Sequence, residues 1–196
     1  APNDALIVSS SDEHFSEVML SARSNLVQLL DPDLSITTGD LSNFDNPLEA
    51  SVIASIHAPD TRTVGILGNH DGKVVEKTLD DAGVVVLESD EPVTYDLDNG
   101  QTITIFGAND PRYTAPFTSG WVERNEGDIA KTIDSLKKNA PENPDILLMH
   151  NPNDIETLNE MGISAPLELS GHAHLQSQTI VGNNTYWISQ GALSGG

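Results

Sequence analysis

Five of the six histidines in this chain sit in short polar blocks, each directly after an apolar run. Asp12-Glu13-His14 follows "ALIVSS", Gly39-Asp40 follows "LSITT", and Gly68-Asn69-His70-Asp71 closes "TVGIL". His150 follows "DILLM", and Gly171-His172-Ala173-His174 follows "LELS". Neutral imidazole, carboxylate and amide oxygen, with no cysteine in the chain, suit borderline-hard divalent ions such as Mn²⁺, Zn²⁺ or Fe rather than Cu(I). Asp12, His14, Asp40, Asn69, His150, His172 and His174 make seven candidate ligands. That is too many for one catalytic ion with open positions, and it suits two ions if one carboxylate bridges. Two ions about 3.5–4 Å apart can clamp a phosphoryl group and generate hydroxide at neutral pH. Taken singly, each block has a plainer reading: a turn, a helix cap, or solvated loop histidines. Five such accidents in order, each at a strand end, are far harder to assemble.

The elements that would carry these blocks alternate. "ALIVSS" (5–10) reads as a buried strand, and residues 15–30 as a helix through Phe15, Val18, Met19, Ala22, Leu26, Leu29 and Leu30, stopped by "DPD". A strand over 34–38 is followed by a helix from Asn46-Pro47 to about Ile56, Pro suiting the first turn. "TVGILG" (63–68), a helix over 73–83 closed by Gly83, and a strand over 84–88 come next. "VTYDL" and "TITIF" form a hairpin about Asp98-Asn99-Gly100. A helix over 127–139, a strand over 145–150, a helix over 153–162 ending at Gly162, a strand over 167–171 and a hairpin turning at Gly182-Asn183-Asn184 complete the chain. The pattern is α/β with mixed sheets and helices packed outside paired sheets. In such folds ligands bind beyond the carboxyl ends of the strands, where all five polar blocks fall.

Bulk properties narrow the partners. At 196 residues, with no internal repeat or low-complexity linker, the chain reads as one domain over 1–196. Nine Lys and Arg against thirty Asp and Glu leave a net charge of −21 and no basic patch, which excludes broad binding to nucleic acid or anionic lipid. A phosphate-bearing substrate would be repelled too, unless bound cations reverse the sign locally. No apolar run is long enough to span a membrane. The chain opens at Ala1-Pro2-Asn3 without an initiator Met and closes on "SGG", which reads as a processed or excised part of a longer protein.

The ordered set Asp-x-His, Gly-Asp, Gly-Asn-His-Asp, His and Gly-His-x-His resembles the signature of the calcineurin-like metallophosphoesterases, and here it spans residues 12–174. The resemblance implies a four-layer αββα sandwich of two packed mixed sheets. It implies two divalent ions, Mn²⁺ foremost with Fe or Zn as alternatives, and a small phosphate mono- or diester attacked by a metal-bridging hydroxide. Asp12, His14, Asp40 and His174 would hold one ion, and Asp40, Asn69, His150 and His172 the other. His70 would protonate the leaving oxygen or stabilise its charge, with Asp71 orienting its ring. One departure is Asn43, where the family often has a further Asp; it is expected to affect the support of the ligands rather than metal binding. Some relatives have become adaptors, so a non-catalytic metal-binding scaffold is the alternative, although such proteins usually lose ligands that are all kept here. A mononuclear amide hydrolase is disfavoured by the ligand count. Relatives with similar closing segments include catalytic domains tethered to bacterial membranes and facing outward, so a cytoplasmic and an extracytoplasmic location both stay open.

Outside the five blocks, Arg112 in "GANDPRY" (107–113), beside Asn109, Asp110 and Tyr113, is read either as a contact for a substrate phosphate or carboxylate or as part of a surface turn. His57 is read as structural or solvated, and Trp121 and Trp187 as packing residues, with an aromatic wall for a substrate base as the alternative.

Overall fold

The structure, a computed structural model, describes residues 5–58, 62–97, 99–112, 126–181 and 185–190. The elements run β1 (Ile7–Ser10), α1 (Glu17–Leu30), β2 (Leu34–Thr37), α2 (Pro47–His57), β3 (Thr63–Gly65), α3 (Lys73–Asp81), β4 (Val85–Val86), β5 (Val93–Asp96) and β6 (Thr102–Ala108). They continue with α4 (Glu126–Asn139), β7 (Ile146–Met149), α5 (Pro152–Glu160), β8 (Leu167–Ser170), β9 (Ser177–Val181) and β10 (Thr185–Ser189). The expected turn residues Asp98 and Gly182 to Asn184, together with Tyr113 and Trp121, lie outside the described residues.

Two sheets result. The first is wholly parallel, in the order β1-β2-β3-β4. The second, ordered β5-β6-β7-β8-β10-β9, is mixed: β6, β7, β8 and β10 run parallel, while β5 and β9 are antiparallel edges. The mixed character therefore belongs to one sheet only.

Alternation along the strands dictates how the layers stack. Leu34 and Ile36 of β2 and Ile146 and Leu148 of β7 point into one cluster shared by both sheets, together with Val64, Ile66, Ile105 and Leu169. Leu147 and Met149 face the other way, onto Ile133 and Leu136 of α4 and Ile155 and Leu158 of α5. On the far side of the first sheet, Ala50 and Ile53 of α2 and Val75 and Leu79 of α3 cover Leu67 and Val84. Strands buried on both faces read as continuous apolar runs, which is why "DILLM" shows no polar alternation. The product is helix, sheet, sheet, helix.

Helix starts follow their caps. Asn46 accepts from the amides of Leu48 and Glu49, both at 3.0 Å, with Pro47 in the first turn. Asn151 accepts from Asn153 N at 3.0 Å, so α5 begins at Pro152.

In α1 the buried face differs from the expected one. Met19, Leu20 and Arg23 are buried, whereas Val18 and Leu29 stay 72% and 80% exposed, and Leu26 and Leu30 are exposed as well. The helix is rotated so that the Arg23 guanidinium reaches Ser35 Oγ at 2.5 Å and Ile56 O at 3.2 Å. A polar contact sets its orientation here, against the apolar stripe.

The polar blocks follow β1, β2, β3, β7 and β8, and all lie at the carboxyl ends of parallel strands. Gln190 ties the two sheets beside them, accepting from Thr38 Oγ1 and donating to Ser9 Oγ, both at 2.8 Å.

Candidate metal centre

Backbone first positions the ligands. Asp12 N donates to Gly39 O, His14 N to Asp40 O (both 2.9 Å) and Phe15 N to Leu41 O (2.8 Å), which straps the loop after β1 onto the loop after β2. Among the described residues eight non-glycine residues have positive φ, and five of them are Asp12, His14, Asp40, His172 and His174. Each such residue costs about 1–3 kcal/mol and persists only where its surroundings over-determine it. Strain of this kind, concentrated on the ligand candidates, marks a site. Gly39, at φ +96°, and Gly68 pass each other so closely that a Cβ on Gly68 would fall on Asp40 Oδ1.

The side chains then converge in two groups. One potential ligand atom from each of Asp12, His14, Asp40 and His174 lies within 4.8 Å of the rest, and the same holds for Asp40, His150 and His172. Asp40, 1% exposed, is shared. Asn69 joins the second group through Oδ1, 3.0 Å from His172 Nδ1. All seven residues named from the sequence are thus drawn into one place.

Neighbouring groups orient several of these side chains. Asp12 accepts from Ser11 Oγ at 2.6 Å and from His172 N at 3.0 and 3.1 Å. His150 Nδ1 donates to Thr38 O at 2.7 Å, so in the neutral ring Nε2 carries the lone pair. That buried Nε2 has no hydrogen-bond partner among the described residues, although Asp40 Oδ2 lies 3.2 Å away. A lone pair facing a carboxylate is unfavourable unless a proton or a cation sits between them. His14 Nε2 lies 3.2 Å from His174 Nε2 and 3.7 Å from Asp40 Oδ2, and His174 Nε2 lies 3.3 Å from Asp12 Oδ1, so ring nitrogens converge on carboxylates in the first group as well. The residues present therefore fit divalent cations.

Charges respond accordingly. Burial raises the Asp40 carboxyl, but His150 and the His70 amide outweigh it and hold it well below the usual range. Burial lowers His150, yet the Asp40 carboxylate overrides this and lifts it to about 9. His14 and His172 are lowered, chiefly by burial, despite nearby carboxylates. Without metal, His150 thus carries a proton at neutral pH that an incoming ion must displace. Affinity for Mn²⁺ should rise with pH by about tenfold per unit towards about pH 9, then level off. Calorimetric titrations from about pH 6.5 to about 8.5 check this, and a flat profile would refute it.

Asp71 takes a different place from the one expected of it. Its buried carboxylate accepts from the amides of Leu41 (3.0 and 3.2 Å), Ser42 (2.8 Å) and Gly68 (3.0 Å) and from Ser42 Oγ (3.0 Å), and not from the ring of His70. Burial and the Asp40 charge push it up to about 6, against those amides. His70 is set instead by its own amide, which donates to Asp40 Oδ1 at 2.9 Å. Its ring stands edge-on to His14, centroids 4.9 Å apart.

Arg112 is turned to carboxylates: it forms two 2.7 Å bonds to Asp154 and one of 3.0 Å to Asp110. Asn43 Nδ2 donates to His14 O at 2.7 Å, a bond that an ionised Asp at this position could not make. Trp187 packs beside the cluster under α4 and α5 and donates to Ser170 Oγ at 3.1 Å. His57 is buried rather than solvated, 2.8 Å from Glu13 Oε2, a pairing that the sequence signals only by a glutamate between two ligand candidates.

Comparison with known proteins agrees with this geometry. Solved structures with the same fold include TT1561 of Thermus thermophilus (TM-score 0.62, 12% identity, 96% of this chain and 90% of that one). A novel archaeal phosphodiesterase (TM-score 0.55, 14% identity, 95% and 83%) and GAP50, the anchor in the inner membrane complex of Plasmodium (TM-score 0.60, 12% identity, 95% and 71%), are similar as well. No curated protein matches the chain in sequence. The family model for calcineurin-like phosphoesterases matches residues 8–176, which takes in all five polar blocks and both ligand groups. The chain belongs to the calcineurin-like phosphoesterase family, metal-dependent hydrolases of phosphate esters.

Proposed function

We propose that this chain is a dinuclear metal-dependent phosphohydrolase that cleaves a small phosphomonoester or phosphodiester. The observation that carries the proposal is the sharing of Asp40 between two groups of ligand atoms. One ion would be held by Asp12, His14, Asp40 and His174, the other by Asp40, Asn69, His150 and His172, with Mn²⁺ the first choice and Fe or Zn the alternatives. When bound, such ions supply Lewis acidity at the phosphoryl oxygens and lower the pKa of water enough to give a nucleophile at neutral pH.

The chain's own residues do the rest. Thr38 O fixes the His150 tautomer, and Ser11 and the His172 amide aim the Asp12 carboxylate. His70 is half-buried with its ring against His14, and would give a proton to a departing oxygen or stabilise its charge. Asp71 holds the loop that carries His70 by tying it to Leu41 and Ser42. Cations in the cluster also supply the attraction for phosphate that a chain of charge −21 lacks.

The test pairs elemental analysis with hydrolysis of p-nitrophenyl phosphate and bis-p-nitrophenyl phosphate in added Mn²⁺. Two ions per chain and turnover of at least one ester are expected. Two ions with turnover of neither would make the chain a metal-binding scaffold instead.

A further inference from the structure

We propose that Glu13, His57 and Arg23 are positioning residues for the Asp12, His14, Asp40 and His174 group, anchoring the strained loop after β1 from the side opposite the metals. The inference rests on the dinuclear reading above. Glu13 lies between two candidate ligands, and while Asp12 and His14 turn towards the site, its own side chain turns inward and is 0% exposed. A loop at a strand end could leave this carboxylate in water at no cost. Burying it is unfavourable unless it is paired.

The partners come from two helices. His57 Nε2, on the last residue of α2, lies 2.8 Å from Glu13 Oε2. Arg23 Nε of α1 lies 3.8 Å from Glu13 Oε1, and the same guanidinium bonds to Ser35 of β2 and to Ile56 O. Two helices therefore grip the middle residue of the loop, and β2 braces one of them through Ser35.

Two observations distinguish this from ordinary packing. The loop is strained at Asp12, His14 and Phe15, with φ of 52°, 45° and 53°, and tends to relax unless it is held. The network is also a poor device for stability alone. Glu13 Oε1, Arg23 Nε and His57 Nδ1 are all buried without hydrogen-bond partners among the described residues, and α1 leaves Val18 and Leu29 in solvent while Arg23 is inside. Replacing buried ion pairs by apolar residues often costs nothing. What the network gives in return is the placement of Asp12 and His14. His150, in the second group, is fixed separately through Thr38 O.

The test is a calorimetric Mn²⁺ titration of the whole chain, with thermal melts alongside. It compares the wild type, Glu13→Gln, His57→Gln and a triple variant combining Glu13→Leu, Arg23→Met and His57→Leu. The wild type alone decides the dinuclear reading, because it takes up two ions or it does not. For the positioning role, Glu13→Gln and the triple variant should weaken one ion by about 10–100-fold and leave the other nearly unchanged. His57→Gln, which keeps a donor for Glu13, should bind closer to the wild type. His174→Ala identifies the affected ion by weakening the same one.

If the wild type takes up a single ion, the variant-to-wild-type ratio is read on that ion. The triple variant leaves no buried charge unpaired, so it keeps the test open should Glu13→Gln fail to fold. Variants that melt earlier yet bind metal with wild-type affinity would show a purely structural role and overturn the inference. Equal weakening of both ions would overturn it too.

Discussion

Asp40→Ala should empty both halves of the metal centre in a single substitution. Among the described residues Asp40 alone belongs to both ligand groups, and its carboxylate is almost wholly buried between His14 and His150. Loss of a peripheral ligand such as His174 would weaken one ion, whereas loss of Asp40 removes a negative charge from each. Elemental analysis should fall from two ions to fewer than one. Hydrolysis should drop by about 10³-fold or more, since each 1.36 kcal/mol of lost transition-state stabilisation is a factor of ten and metal ions supply several kcal/mol.

Collapse of the fold is not the expected cause. Burial and, after it, the Asp40 charge push Asp71 up to about 6, so removing that charge relieves a repulsion between buried carboxylates. Asp40→Asn keeps an oxygen for the His70 amide and serves as the control for local structure. If Asp40→Ala retained two tightly bound ions, the carboxylate would not be shared and the dinuclear reading would fail.

The parts of this site that could be read in advance were those carried by residue type and order. Asp12, His14, Asp40, Asn69, His150, His172 and His174 stand out because they break apolar strands at their carboxyl ends, and parallel topology gathers such ends on one edge. What could not be read was direction. Asp71 follows His70 in sequence and was expected at its ring, but the turn closed by Asp71 N on Gly68 O at 3.2 Å aims the carboxylate at the amides after β2. Arg112 looked available because arginines are scarce, yet Asp154, forty-two positions on, claims it. In α1 the apolar spacing pointed to Val18 and Leu29 as core, and one buried arginine turned the helix. In each case a long-range polar contact outweighed a local pattern, and such contacts leave no periodic trace in the chain.

His70→Ala should leave metal in place and remove most of the turnover. The ring of His70 lies in neither ligand group, and what ties the residue to the centre is its backbone: its amide donates to Asp40 Oδ1, and its carbonyl accepts from Ser42 Oγ at 3.1 Å. Alanine keeps both of those bonds, so Asp40 should stay oriented and two ions should remain. What is lost is a positioned general acid, for which a fall in kcat of about 10²–10⁴-fold is ordinary. The leaving group makes the assignment sharper. A nitrophenolate departs without help, whereas an alkoxide needs a proton, so the loss should be small on bis-p-nitrophenyl phosphate and large on an alkyl ester. An equal loss on both substrates would point to a role in binding rather than proton delivery. Metal leaving together with activity would place the imidazole among the ligands, and the separation of Asn69 from His70 would then be wrong. If the separation holds, adjacent residues on one turn serve different steps, because consecutive side chains leaving a strand point in different directions.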